Sequence, residues 1–565
     1  LAQIQKLLQL WKCRNDLSQQ HNFIYTLNDA RGFAMTALSV QVPFPVFTDA
    51  DGQPLDNGSV YIGTANTDAV TNPISVYWDE ALTIPAAQPI KTTGGYLYYQ
   101  GTPTNVYVNA DDFSITVQDS KGNLVYSAPE VIGAAGLRAD LAASSGSSLV
   151  GYIQSGTGAA AQTVQSALRR TITPQDFGAI GNGVADDTTA FQNAVNEAQT
   201  KNLTLYLPGA FKIGAITVTG NLHLLGAGSQ TTITAKSGNY DMFTISGSDV
   251  TIENLYIDDT AKTGGWDFTI ACGTSTLERL NFTNINSFYS FGFMRDTGTT
   301  GVHVTTRVTE CQARGHRGYG IYFTRPFAFI FLTQVSIDYV GMGAAANWTG
   351  FYFNPAGIGG GAGGLVMDDC DVLGTMGVFY NANQRGYDIR NTAAVWMKQC
   401  RADTVGEIGF VFEAITGLHL VGTTAGLCGS HGYFLTTVIN SSFVGIEGFG
   451  RNYLAGAPAG ADGIRIVSGC GDIVMTGGYM RDFTGNGIYK IAAQAGPINI
   501  GTMQLIANTL RGVASTGNSP VLLTGVQFRG NGTGNYSLGG NSDYLQVSQL
   551  DATTVVSVGP GPVTG

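Results

Sequence analysis

An eight-residue pattern recurs from residue 250 to residue 528, and it restricts the fold more than any other feature of the chain. Ten octads carry apolar residues mostly at their first, third, sixth and eighth positions. They are VTIENLYI from Val250, STLERLNF from Ser275, TRVTECQA from Thr306, IFLTQVSI from Ile330 and LVMDDCDV from Leu365. The series continues with VWMKQCRA from Val395, LHLVGTTA from Leu418, IVMTGGYM from Ile473, INIGTMQL from Ile498 and VLLTGVQF from Val521. Side chains alternate in direction along a strand, so the pattern describes two short strands meeting at a two-residue corner. The step of 55 residues between Leu418 and Ile473 predicts one degenerate coil near SSFVGIEGFG. A further element follows many octads by about seven residues: GIYF at Gly320, GFVF at Gly409, GYFL at Gly432, GIRI at Gly463 and GIYK at Gly487. Three short strands per coil, repeated at roughly 25 residues, predict a parallel β-helix in which each coil stacks on the last. Cys311, Cys370 and Cys400 fall at the inward sixth octad position and are read as core hydrophobes, not nucleophiles.

Composition agrees with a large all-β protein. Glycine accounts for 77 of 565 residues, and charged residues for only 12%, about half the usual share. The formal net charge of -11 argues against nucleic acid or an anionic membrane as the main partner. No apolar run is long enough for membrane insertion. The seven cysteines are scattered without a CxxC pair, so neither a disulfide framework nor a zinc site is indicated, and no cofactor is expected. Residues 1–34 read as an extension of uncertain status, with Met35 as the expected natural start.

Residues 35–130 alternate β-branched and aromatic residues between Asp-Gly, Asn-Gly and Lys-Gly-Asn turns, predicting an antiparallel β domain. DADG at Asp49–Gly52 opens like a calcium loop but lacks the glutamate at its twelfth position, and is read as a hairpin turn. Residues 131–172 are Ser/Gly/Ala-rich and read as a neck, with AQTVQSALRR a short helix. The β-helix is expected over 173–530, followed by a short C-terminal region, 531–565. At its start, DFGAIGNGVADDTTAFQNAV (Asp176–Val195) has glycines spaced like a phosphate loop and an adjacent aspartate pair. No dinucleotide-type strand precedes those glycines. Ala190, Phe191, Ala194, Val195 and Ala198 lie at helical spacing, and Asp186, Asp187 or Thr188 can cap the helix. An open solenoid end needs covering, so this helix is expected to lid the first coil.

These residues resemble known modules. DFGAIGNGVADDTTAFQNAV with LYLPGAFKI resembles the N-terminal signature of pectate-lyase-like right-handed β-helices, which include phage tailspikes. The stretch from Leu137 to Arg170 is similar to the neck of such spikes. NGSVYIG, ISVY and QPI occur in the order found in the head-binding domain of short-tailed phage tailspikes. The resemblance implies a homotrimer attached through residues 35–130 to a phage tail or portal-associated protein. It also implies a virion component whose β-helix binds, and usually cleaves, host surface polysaccharide such as O-antigen or capsule. Many members of that family carry a longer C-terminal trimerisation region than residues 531–565 provide.

Glycosidic hydrolysis needs two carboxyl groups across the bond, and a sugar chain wants aromatic faces. In the GxxF strands, the second and fourth residues after glycine face outward. They give Tyr322 and Thr324, Tyr352 and Asn354, Asp388 and Arg390, Val411 and Glu413, then Phe434 and Thr436. Asp388 and Glu413, on adjacent coils with Cα atoms roughly 8 Å apart, are the candidate catalytic pair. This register sets the strand at Gly386; the alternative is GVFYNA at Gly377, with NQRGYDIRN a loop. Tyr322, Tyr352 and Arg390 are candidate substrate-binding residues, as is Trp348 beside the glycines of GMGAAANW. Asp371 in MDDCD is a further candidate acid, or part of a calcium site with Asp368 and Asp369; the plainer account is a corner and an Asp371–Arg401 pair. His316 reads as a turn residue. Outward carboxylates on any β-helix also serve solvation and turns. Three functions remain open: an endo-glycosidase, a polysaccharide lyase, and a receptor-binding spike without catalysis.

Overall fold

The computed structural model describes residues 45–538, apart from short breaks at 111, 133, 273–278, 297, 299–301, 340–347, 356–361, 375–383, 451–457, 492–493 and 517–519, together with residues 557–558. The extension 1–34 with Met35 and Cys13, the GMGAAAN and GVFYNA segments and most of 531–565 lie outside the described residues. The chain divides into two compact units, Leu1–Ala167 and Leu168–Gly565.

In the first unit, six strands between Ser59 and Ile132 form an antiparallel sheet, and three two-residue strands form a second. Leu55, Val60, Ile62, Val76, Ile90 and Val117 fill the core. Alternation supplies these residues, since Val60 and Ile62 point inward two apart. The glutamine of the QPI motif ties elements together. Gln88 accepts from Ile62 N (2.6 Å) and donates to the carbonyls of Ile62 (2.9 Å) and Ile74 (2.6 Å). DADG is a turn: Asp49 Oδ1 accepts from the backbone N–H of Asp51 (3.0 Å) and Gln53 (2.8 Å). The following residues form the helix Ala134–Ala142, the hairpin Gly151–Ile153 with Ala161–Thr163, and the short helix Val164–Leu168.

The second unit is a right-handed parallel β-helix of three sheets. Each octad supplies one strand to the first sheet and one to the second, and the GxxF element supplies the third. The octad's fifth residue is the corner, with positive φ at Asn254, Asn284, Glu310, Gln334, Asp369, Gln399 and Thr502, and at Gly422, Gly445, Gly477 and Gly525. The degenerate coil is present, Ser442 pairing with His419 below and Val474 above. One octad starts elsewhere than expected. Val250 pairs with Leu280 and Leu280 with Thr306, so the unit is LNFTNINS from Leu280, not STLERLNF from Ser275. Its inward eighth position is Ser287, fully buried and donating to Asp267 at 2.6 Å, and that polar residue disguised the pattern.

The glycines that open the third-sheet strands form a ladder. A Cβ on Gly386 would stand 2.6 Å from the carbonyl oxygen of Gly409, and one on Gly409 would stand 2.8 Å from that of Gly432. Backbone packs on backbone along this edge, and no side chain fits. The helix Thr188–Lys201 covers the first coil as expected, burying Phe191, Ala194, Val195 and Ala198 against residues such as Leu205 and Phe211. Cys311, Cys370 and Cys400 are buried free thiols. No helix among the described residues is long and apolar enough to cross a membrane.

Candidate active site

The third sheet aligns outward side chains into rows along the solenoid. One row runs Arg295, Tyr322, Tyr352, Asp388, Val411, Phe434, Arg465, Tyr489, each residue paired with the next. Beside it, Arg390 pairs with Glu413 and Glu413 with Thr436. The strand is Gln384–Arg390, so the register starting at Gly386 holds.

Asp388, Arg390 and Glu413 are brought together as expected, and two residues absent from the expectation join them. Arg385 Nη1 donates to Asp388 Oδ2 at 2.8 Å, and its Nε donates to Glu407 Oε2 at 2.7 Å. Arg390 Nε and Nη2 donate to Asp388 at 2.6 and 3.0 Å, while its Nη1 stands 2.8 Å from Glu413 Oε2. The result is a chain of alternating charge, Glu407–Arg385–Asp388–Arg390–Glu413. Its members differ in access to solvent. The Asp388 side chain is 3% exposed, Glu407 13% and Glu413 45%. Burial raises the Glu407 carboxyl above its ordinary range, against the lowering effect of Arg385. Burial alone would lower the Arg385 guanidinium, but its bonds to Glu407 and Asp388 outweigh that, raise it further and favour its charged form.

Next to this chain lies an aromatic platform. Tyr322 and Tyr352 stack at 4.7 Å and 11°, Tyr319 meets Tyr322 edge-on at 5.2 Å, and the Trp266 ring lies 5.9 Å from Tyr322. Such faces suit the apolar surfaces of sugar rings.

Two expectations are corrected. Trp348 does not offer a ring to solvent; it is 2% exposed and stacks on Tyr339 at 3.7 Å, because it opens the strand Trp348–Phe353 pointing inward. Asp371 lies on the second sheet, where it pairs with Ser336 and Arg401, so it does not join Asp388 and Glu413. Its carboxylate accepts from Arg401 at 3.1 and 3.2 Å, and burial raises it. Asp369 is the corner residue and Asp368 pairs with Lys398 at 3.3 Å. No cluster of three acidic, histidine or cysteine side chains able to hold a metal ion occurs among the described residues. His316 is buried, donates Nε2 to the Tyr319 carbonyl at 2.5 Å, and is lowered by burial to about 4.

Strict alternation from the outward Asp388 and Arg390 would turn Arg385 inward, so no periodic signal in the sequence pointed to it. Glu407 sits in the turn before Phe410–Thr416, where no periodicity applies.

Comparison with known proteins adds the modules. Residues 34–135 match the family described as head binding. Residues 172–317 match rhamnogalacturonase A/epimerase, pectate lyase-like. The two matches lie in tandem, a head-binding module before a pectate-lyase-like one. The tail spike protein of Shigella phage Sf6 is 28% identical over 233 residues, 36% of this chain and 37% of that protein. A capsule-specific depolymerase of Klebsiella phage K64-1 is 46% identical over 67 residues, 12% of this chain and 8% of that protein. The matched part thus spans little more than a third of the first relative and under a tenth of the second. Tailspike protein 3 of bacteriophage CBA120 aligns with a TM-score of 0.47 at 15% identity, covering 76% of this chain and 71% of that one. The pectate-lyase-like match ends at residue 317, before the charged chain begins.

Proposed function

We propose that the chain is a virion component that attaches to a phage tail through residues 35–130, assembles as a homotrimer, and uses its β-helix to bind host surface polysaccharide and cleave it internally by glycosidic hydrolysis. The observation that carries this reading is the Glu407–Arg385–Asp388–Arg390–Glu413 chain beside the Tyr322–Tyr352 platform on one outward face. Glu407, whose carboxyl is raised by burial, serves in this reading as general acid to the leaving sugar oxygen. Glu413, the most exposed of the three carboxyls, meets the attacking water or the anomeric carbon. Both Asp388 oxygens are engaged by arginines, so Asp388 acts as a positioning residue that fixes both guanidiniums.

Incubation with purified host polysaccharide, followed by sizing and end-group analysis, tests the reading. Shortened chains with reducing ends support hydrolysis, and intact chains refute it. A second reading, elimination, draws on the pectate-lyase-like match over residues 172–317; unsaturated, ultraviolet-absorbing ends would establish it instead.

A further inference from the structure

Two arginines flank Asp388 at equal intervals. In the outward row, Arg295 lies three coils before Asp388 and Arg465 three coils after it. At about 4.8 Å per coil, each stands about 14 Å from Asp388 along the solenoid and about 29 Å from the other. Their settings match. Arg295 Nη2 donates to Asp241 at 2.5 Å and Nε to Thr269 Oγ1 at 3.0 Å, and its guanidinium lies 5.6 Å from the Trp266 ring. Arg465 Nη1 donates to Asp462 at 3.2 Å, and its guanidinium lies 5.5 Å from the Tyr489 ring. Asp462 is itself fixed by Asn486, whose backbone N and Nδ2 donate to it at 2.8 and 2.9 Å. Arg295 is thus held by Asp241, Thr269 and the Trp266 ring, and Arg465 by Asp462, His431 (3.4 Å) and the Tyr489 ring, while each side chain stays about a third exposed, at 31% and 29%. Nη1 of Arg295, and Nε and Nη2 of Arg465, donate to no group among the described residues.

A guanidinium that is preorganised yet keeps N–H donors unused is built to take an oxyanion from outside. Arg385 and Arg390 are each already paired with two carboxylates, which offset their charge toward an outside anion. We infer that the bound polysaccharide is anionic, with carboxylate substituents, and that Arg295 and Arg465 are the specificity-determining residues that hold those groups on either side of the cleavage point. The inference rests on the reading of this face as the glycan-binding face. With a net charge of -11 the chain as a whole repels such a polymer, so attraction must come from local cations of this kind.

The test uses the full chain carrying Glu407→Gln, in affinity electrophoresis against purified acidic and neutral bacterial capsular polysaccharides. Each bound polysaccharide is also assayed after chemical reduction of its carboxyl groups to alcohols. The expected result is that the polysaccharides bound are acidic and that carboxyl reduction weakens binding at least tenfold. Arg295→Gln and Arg465→Gln should each weaken binding roughly tenfold, with Arg465→Lys restoring part of it. In the catalytically competent chain they should raise KM more than they lower kcat. A neutral polysaccharide bound as tightly, or binding that survives carboxyl reduction, overturns the inference. If that neutral polymer is also shortened by the unmodified chain, the hydrolase reading stands without it. If an acidic polymer is bound through both arginines but never shortened, the hydrolase reading fails and this inference stands.

Discussion

Two acidic groups in this chain look alike in sequence and behave differently in space. At the lid, Asp186 and Asp187 precede the helix Thr188–Lys201. Asp187 accepts from the backbone N–H of Ile180 at 2.8 Å and Gly181 at 3.2 Å, while Asp186 accepts from Thr188 N at 3.1 Å and pairs with Lys236 at 2.6 Å. Asp187 occupies the N-cap position but turns its side chain back to the glycine loop, and Asp186 satisfies the first helical turn instead. On the third sheet, Asp388, Glu407 and Glu413 accept from guanidiniums and from no backbone N–H among the described residues. Carboxylates tied to backbone close a fold. Carboxylates held only by long side chains leave the sheet's own hydrogen bonding complete without them, which is the ground for proposing them as ligand-facing.

The sharpest break between the two regions is catalytic. Glu407→Gln and Glu413→Gln should each slow polysaccharide shortening by about 10²–10⁴ while leaving the melting temperature nearly unchanged, as measured by product sizing and calorimetry. Asp388→Asn should come next, at about 10², with the loss in kcat because the two arginines lose their common anchor. Retention of full activity there would remove the positioning role. The lid should respond in the opposite sense: Asp187→Ala should cost about 1–3 kcal/mol of stability with unaltered cleavage per folded molecule. Gly386→Ala, which sets a Cβ 2.6 Å from a neighbouring carbonyl, should cost a similar 1–3 kcal/mol or so. The smallest effect is in pH dependence. Because burial raises Glu407, its protonated form persists above the ordinary carboxylate range, and activity should fall as pH rises through that raised value. Glu407→Gln should leave a profile without that limb.

Legibility followed burial. The octads announced the solenoid because each inward position must be apolar in every coil, and the register Tyr322–Tyr352–Asp388–Val411–Phe434 followed from counting. Errors arose where a buried polar group met its needs within the core, as Ser287 does through Asp267. Trp348 was misplaced because a tryptophan beside glycines reads as exposed, whereas its ring fills the interior against Tyr339. Glu407 was missed because turns have no period.

By itself, the sequence determined the stacked scaffold, the lid helix and the outward face carrying Asp388, Arg390 and Glu413, since period-2 alternation and coil repetition are local properties of the chain. Only the tertiary structure decided which carboxylate is buried, that Arg385 and Glu407 complete the charged chain, that Asp371 faces another way, and that Arg295 and Arg465 stand three coils to either side. These depend on side chains from separate coils meeting at hydrogen-bond distance, and stacking fixes those distances where sequence spacing does not.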